Sequence, residues 1–183
     1  MSMMKFTAPA RDKNIGLLIQ AKSSDAQQWL FLPKLNEVKR IAGSGKSKSF
    51  MGSDFSYEDL EPKNIDDYDY TMENANATYK GRPCYQIKSK PKSGINSGYD
   101  HTQLWIDKEK NIIHKTVFYQ GGRILKVLYN KAYAEIGGVW TAQQIEMISL
   151  AGGHKTVMTL SNVSHNTGVA GSYFTRRYLQ RKN

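Results

Sequence analysis

A single cysteine, Cys84, stands in 183 residues. One thiol excludes an internal disulfide and any zinc site built from several cysteines. Cys84 is expected to behave as a small buried apolar side chain. Long apolar runs are missing as well. The longest stretch, Gly16 to Ile19, is strand-sized, far short of the roughly 18 residues a membrane-spanning helix needs. Met1-Ser2-Met3-Met4-Lys5-Phe6 lacks the apolar core of a secretory signal. Strands alternating with long helical patterns are missing, which argues against a parallel α/β sheet. The signatures of catalysis are absent too: there is no His-Glu-x-x-His, no nucleophile elbow and no paired cysteine. His101, His114, His154 and His165 show no metal-ligand spacing, so neither a metal nor a cofactor is expected. Asp66 and Asp67 are adjacent, and adjacent residues of a strand point to opposite faces, so they do not make an acid–base pair.

One string imitates a phosphate-binding loop. Ala42-Gly43-Ser44-Gly45-Lys46-Ser47 has the glycines, lysine and serine, but Arg40 stands where the first glycine must be. Backbone amides could not wrap phosphates there. Phe50-Met51-Gly52 also interrupts any long helix after it.

Charge is plentiful and uneven. The net charge is +10. Residues 1–50 carry +6, residues 51–80 carry −6 and residues 81–183 carry +10. The acidic island is Asp54, Glu58, Asp59, Glu61, Asp66, Asp67, Asp69 and Glu73. It reads either as a solvated edge or as a docking surface for a basic partner. A basic chain invites a nucleic-acid reading, but the lysines and arginines are scattered singly rather than gathered in a stripe. No nucleic-acid partner is expected; solubility, or attraction to an anionic membrane surface, explains the charge equally well.

What the chain has in abundance is aromatic side chains, with eleven Tyr, six Phe and three Trp, and short β-type runs. Strands are predicted around 15–19, 29–32, 38–41, 68–72, 84–87, 103–106, 112–119, 123–129, 140–148 and 155–160. Gly121-Gly122 is a two-residue hairpin signal, and Gly137-Gly138 and Gly152-Gly153 punctuate the chain similarly. Nine or ten strands at short spacing predict a mainly β fold, an antiparallel meander closed or half-closed on itself. Two helical pieces are predicted. Ser56 to Leu60 opens with Ser56 three residues before Asp59 and ends before Pro62. Ser172 to Leu179 places Phe174 and Tyr178 four residues apart.

The segment from Trp29 to Leu60 carries the strongest signal. After an aromatic strand and a basic strand comes a polar loop bearing Phe50, Met51, Phe55 and Tyr57. Large apolar groups in so polar a context need an apolar place to go. They form either a flap over a cavity or a plug at one end of a barrel.

These strings resemble a known family. Trp29-Leu30-Phe31-Leu32-Pro33, Val38-Lys39-Arg40-Ile41 and Ser49-Phe50-Met51-Gly52-Ser53-Asp54-Phe55-Ser56-Tyr57-Glu58-Asp59-Leu60 are similar to those of the outer-membrane lipoprotein-sorting proteins of the LolA-like superfamily. Leu104-Trp105-Ile106-Asp107, Gln120-Gly121-Gly122-Arg123-Ile124-Leu125-Lys126, Trp140 with Ile145-Glu146-Met147, and Phe174-Thr175 with Leu179 extend the resemblance over nearly the whole chain. The resemblance implies one domain over residues 1–183, a half-open antiparallel β-barrel with one or two short helices or a lid loop. It implies a periplasmic, non-enzymatic carrier of lipid or lipoprotein acyl chains, with an inner-membrane transporter or an outer-membrane acceptor as delivery partner. The family's signal sequence, N-terminal helix and first strands are expected to be missing from this chain.

A hydrophobic groove lined by Leu17, Ile19, Trp29, Phe31, Phe50, Met51, Phe55, Leu104, Ile106, Phe118, Leu125, Val127, Ile145 and Met147, with Met158 and Leu160, is the expected site. A shift of one residue in any strand would exchange its faces. Two other classes of function compete with the carrier: a polyanion or nucleic-acid binding module, and an enzyme acting on a small hydrophobic substrate.

Overall fold

A computed structural model describes residues 1–21 and 26–182. Among these residues eleven strands form two antiparallel sheets. The first holds β1 (Ser2–Lys5), β2 (Gly16–Gln20), β3 (Gln27–Leu32) and β4 (Glu37–Ile41) in chain order. The second is a seven-stranded meander of β5 (Tyr68–Tyr79), β6 (Arg82–Pro91), β7 (His101–Asp107), β8 (Ile113–Gln120), β9 (Arg123–Ile136), β10 (Val139–Ser149) and β11 (Lys155–Thr159), again in chain order. This is the mainly β, half-open architecture that the sequence predicts. Of the described strands only β1 has no counterpart in the prediction; it pairs Met3 and Met4 with Leu18 and Leu17.

Short hairpins make the meander. Lys80 and Gly81 between β5 and β6 both have positive φ, as do Gly121 and Gly122 between β8 and β9. Two left-handed residues in succession match the right-handed twist of the flanking strands.

The small sheet buries both faces, which is why β2 reads as an unbroken apolar run. Leu17, Ile19 and Leu30 pack on one side with Phe50 and Tyr57. Leu18, Trp29 and Phe31 pack on the other with Leu179. Leu179 belongs to α1 (Arg176–Leu179), which is preceded by a 3-10 turn at Gly171–Phe174. The single helix predicted over Ser172–Leu179 is thus broken. Thr175 is extended at φ −121°, and its Oγ1 accepts the Tyr178 N–H as an N-cap. A threonine that finds a backbone donor near by favours such a cap over helix interior. Gly16 makes room for this end piece: a Cβ there would stand 2.7 Å from Leu179 Cδ1.

The helix predicted from Ser56 is a single 3-10 turn, Glu58–Leu60. Its capping pair forms as expected, with Asp59 Oδ2 accepting the Ser56 N–H at 2.6 Å and Ser56 Oγ accepting the Asp59 N–H at 3.3 Å. Asp66 and Asp67 lie in another 3-10 turn, Ile65–Asp67, rather than in a strand. The phosphate-loop imitation is a 3-10 turn too, Gly43–Ser47, with Lys46 buried and 2.9 Å from Glu61 Oε1.

Candidate ligand-binding groove

The register of the large sheet sets the site. Met72, Ile87, Leu104, Thr116, Leu128 and Met147 stand directly opposite one another from β5 to β10. At about 4.8 Å per strand this row crosses roughly 24 Å of sheet. A parallel row runs through Tyr70, Ser89, Thr102, Phe118 and Lys126. Side chains two residues apart on a strand share a face, so the two rows make up one inner face, apolar except for Lys126, the Tyr70 phenol and small hydroxyls.

The loop at residues 48–63 covers one end of this face. It divides its apolar groups between the sheets. Phe50 and Tyr57, in edge contact at 5.5 Å, go to the small sheet. Phe55 goes to the large sheet, among Tyr99, Phe118, Met147, Leu125, Leu128, Ile145 and Met158. Polar anchors follow the same division. On the small-sheet side, Gln28 Nε2 donates to Tyr57 O at 3.0 Å and to Glu61 Oε1 at 2.6 Å. On the large-sheet side, Asp59 accepts from Tyr99 Oη at 2.7 Å and pairs with Lys126. Thr156 Oγ1 donates to Asp54 Oδ2 at 2.7 Å. Glu58 accepts from Ser97 Oγ and from the Gly98 N–H at 2.8 Å. Burial, reinforced by the Asp59 carboxylate, pushes the Tyr99 phenol far above its ordinary range. Tyr99 therefore remains a donor and does not serve as a base.

The cover stops short of the edge. Met147 is wholly buried and Thr116 nearly so, whereas Met72 at the far end is half exposed. Where the cover ends, a cavity of about 270 Å³ opens. Its floor on the sheet includes Leu104, Ile113, Thr116, Phe118 and Leu128; Tyr68, Tyr70, Ser89, Pro91, His101 and Thr102 also line it, with Glu58, Asp59 and Lys63 of the cover and Ser97 and Tyr99 before β7. The volume lies just under the roughly 300 Å³ at which ordinary ligand pockets begin.

Of the residues expected to line a groove, Leu104 and Phe118 line this cavity. Phe55, Leu125, Ile145 and Met147 surround its closed end, with Met158. Leu17, Ile19 and Phe50 are packed in the small sheet's first core, and Trp29 and Phe31 in its second, so these five are not brought to the groove. Met51 sits in a turn at positive φ and is 39% exposed. Ile106 pairs with Tyr85 and Ile113, one step beyond the apolar row. Val127 pairs with Val117 and Ile148 on the opposite face. The cause is a bulge: Phe118 pairs with Lys126 and Tyr119 with Ile124, leaving Leu125 as the extra residue. Leu125 and Leu128 both reach the Phe55 cluster, and the simple alternation through Leu125 and Val127 fails. Leu160 follows β11 and ties to Gln143 O through its backbone N–H. Tyr68, Tyr70, Tyr99, Lys63 and Leu128 are site residues that sequence reasoning missed. Period-two alternation on β5 could have signalled Tyr68, Tyr70 and Met72 together.

Comparison with known proteins places this geometry. A family model described as that of an uncharacterized protein matches residues 1–181. No curated protein matches the chain. Solved structures do. A domain from Vibrio parahaemolyticus, named for outer membrane lipoprotein sorting, is 30% identical with a TM-score of 0.92, over 98% of this chain and 77% of that one. A DUF1329 family protein from Desulfovibrio piger is 29% identical with a TM-score of 0.91, over 97% and 75%. A LolA superfamily protein from Nitrosomonas europaea has the same fold at 21% identity, with a TM-score of 0.76 over 96% and 76%.

Proposed function

Since the chain belongs to the family of the outer membrane lipoprotein-sorting domain, and shares its fold with a LolA superfamily protein, we propose that it is a periplasmic carrier that shelters an acyl chain of a lipid or lipoprotein on its inner sheet face. One observation supports this most directly: the apolar row from Met72 to Met147 is covered at one end only, and a cavity opens at the limit of the cover. A hydrocarbon chain laid there gains about 0.8 kcal/mol per buried CH₂. Ten methylenes give on the order of 8 kcal/mol before the costs of association, enough for carriage without any reactive group.

The polar groups near by are suited to holding the cover in place rather than to chemistry. Asp59 is engaged by Lys126, Tyr99 and the Ser56 N–H, and Glu58 by Ser97 and the Gly98 N–H. A carrier must also release its load. The cover is tied to the two sheets by separate sets of contacts, so it can part from the large sheet while Phe50 and Tyr57 hold it to the small one. An inner-membrane donor and an outer-membrane acceptor are the partners such a cycle requires.

The test is displacement of a fluorescent fatty acid, together with native mass spectrometry of protein purified from cells. Saturable displacement and co-purified lipid support a carrier; a protein that binds no probe and carries no lipid refutes it.

A further inference from the structure

We propose that the chain held in this groove ends in an anionic head, and that Lys63 is its counter-ion. The inference rests on the carrier reading and adds the chemical class of the ligand.

The charges at the cavity decide it. Asp59 is 2% exposed and already holds Lys126, the Tyr99 hydroxyl and the Ser56 N–H. Glu58 is 4% exposed, and each of its oxygens accepts a hydrogen bond, from Ser97 Oγ and from the Gly98 N–H. Neither carboxylate has a side open to a cationic ligand. Lys126, 7% exposed, is committed to Asp59 and lies over the rings of Tyr99 and Phe118. Lys63 is the most exposed of the four and is held by Glu58 and Tyr68. Its ammonium stands 3.5 Å from Glu58 Oε1, beyond a good hydrogen bond, and its side chain is 44% exposed. Burial works to discharge it, but Glu58 and Tyr68 outweigh burial and raise its pKa, so it stays charged at neutral pH. Turning Lys63 toward a ligand leaves Glu58 with both of its other hydrogen bonds.

The lining near Lys63 completes an acceptor site. Tyr68 and Tyr70 bring phenols to the same lining, and burial keeps Tyr70 protonated well above neutral pH. The His101 ring stacks on Tyr119, on the other face of the sheet, and takes no part. A carboxylate or phosphate here meets one cation and the phenols of Tyr68 and Tyr70. The hydrocarbon behind it runs over Thr102 and Phe118 to Leu104 and Leu128.

The test compares four compounds with 12-carbon chains, each below its critical micelle concentration or solubility limit: dodecanoate, dodecyl phosphate, dodecanol and dodecyltrimethylammonium. Affinity is read by displacement of a fluorescent fatty acid from the full chain, with acetate and inorganic phosphate as heads without a tail. The native protein is expected to bind at least one anionic compound tenfold or more tighter than dodecanol, and the carboxylate and phosphate arms identify the head. In Lys63→Gln that preference falls to within about twofold while dodecanol affinity holds; Lys63→Arg restores it. Equal binding of charged and neutral heads, or a preference that survives in Lys63→Gln, overturns the anionic head and leaves the carrier intact. Failure of all four compounds to bind overturns the carrier and the head together. Tight binding of acetate or phosphate alone shows a small-anion site and likewise contradicts the proposal.

Discussion

Lys126 of β9 reaches across the inner face of the large sheet to Asp59 of the covering loop, and both side chains are almost wholly excluded from solvent. The pair joins the cover to the sheet at the point where the groove closes. Asp59 also accepts from Tyr99 and Ser56, and Lys126 also reaches Asp54 O at 3.4 Å, so neither charge is left with a single partner. Breaking a buried pair by removing one member strands the other charge, which costs about 3–5 kcal/mol.

Lys126→Met is therefore expected to lower stability by an amount in that range, read by urea denaturation. Asp59→Asn combined with Lys126→Met should cost less than the two single changes added together, because the stranded charge is gone. Hydrogen exchange should speed up across residues 54–60 and leave β2 and β3 unchanged. Uniform acceleration over the whole chain would mean that the pair supports global folding and not the cover.

The two faces of β9 make a second prediction. Leu128→Trp fills the cavity from its floor and should reduce binding of a fluorescent fatty acid at least tenfold, with little loss of stability. Val127→Thr changes the opposite face and should leave binding unaltered. Equal effects from the two variants would contradict the assigned register.

Strands and turns were legible in the sequence because their signals are local. Gly121-Gly122 and Gly137-Gly138 supply left-handed positions in pairs, and Trp29-Leu30-Phe31-Leu32 is an apolar run closed by Pro33. The apolar groups of the covering loop were legible as needing a home. Their separate homes were not, since Phe50 and Phe55 look alike in sequence and are drawn to different sheets only by tertiary packing. The inner face of β9 was hidden for a similar reason. Alternation favours Leu125 and Val127 together, but the bulge at Leu125 turns Lys126 and Leu128 inward, and a lysine on an apolar face makes sense only once Asp59 is seen opposite. Tyr99 sits in a Ser-Gly-Tyr-Asp stretch that reads as a turn, so its place over Phe118, with ring centroids 4.9 Å apart, carries no sequence signal.

Acid sensitivity should centre on Asp107. The Arg82 guanidinium donating to it holds its carboxyl well below the usual carboxylate range, against burial, with help from the Lys110 and Glu109 N–H groups and His114. A carboxyl depressed in the folded state adds stability above the unfolded value of about 3.9, and that stability drains away as pH falls toward the folded value. The urea midpoint of the native protein is expected to drop between about pH 5 and pH 2. Asp107→Asn should begin with a lower midpoint at pH 7 and show a shallower drop. Glu146, depressed by Lys131 and Lys155, should leave a residual slope. An equally steep drop in the variant would remove Asp107 from the account.

Gly16→Ala tests the seating of the C-terminal piece. The added methyl meets Leu179 Cδ1 at 2.7 Å, and overpacking of this kind costs about 1–3 kcal/mol. A lowered thermal midpoint is expected, and Gly16→Ala with Leu179→Ala should be less destabilised than the two costs added. Strict additivity would show that the two residues do not meet.

The central claim is that the row from Met72 to Met147 holds a hydrocarbon chain. Nuclear Overhauser contacts between uniformly ¹³C-labelled dodecanoate and the methyl groups of the protein measure it directly. Contacts from the chain to Met72, Leu104 and Leu128, with none to Val117 or Val127, are the predicted result. A bound chain that touches Val117 and Val127 instead, or no bound chain at all, would contradict it.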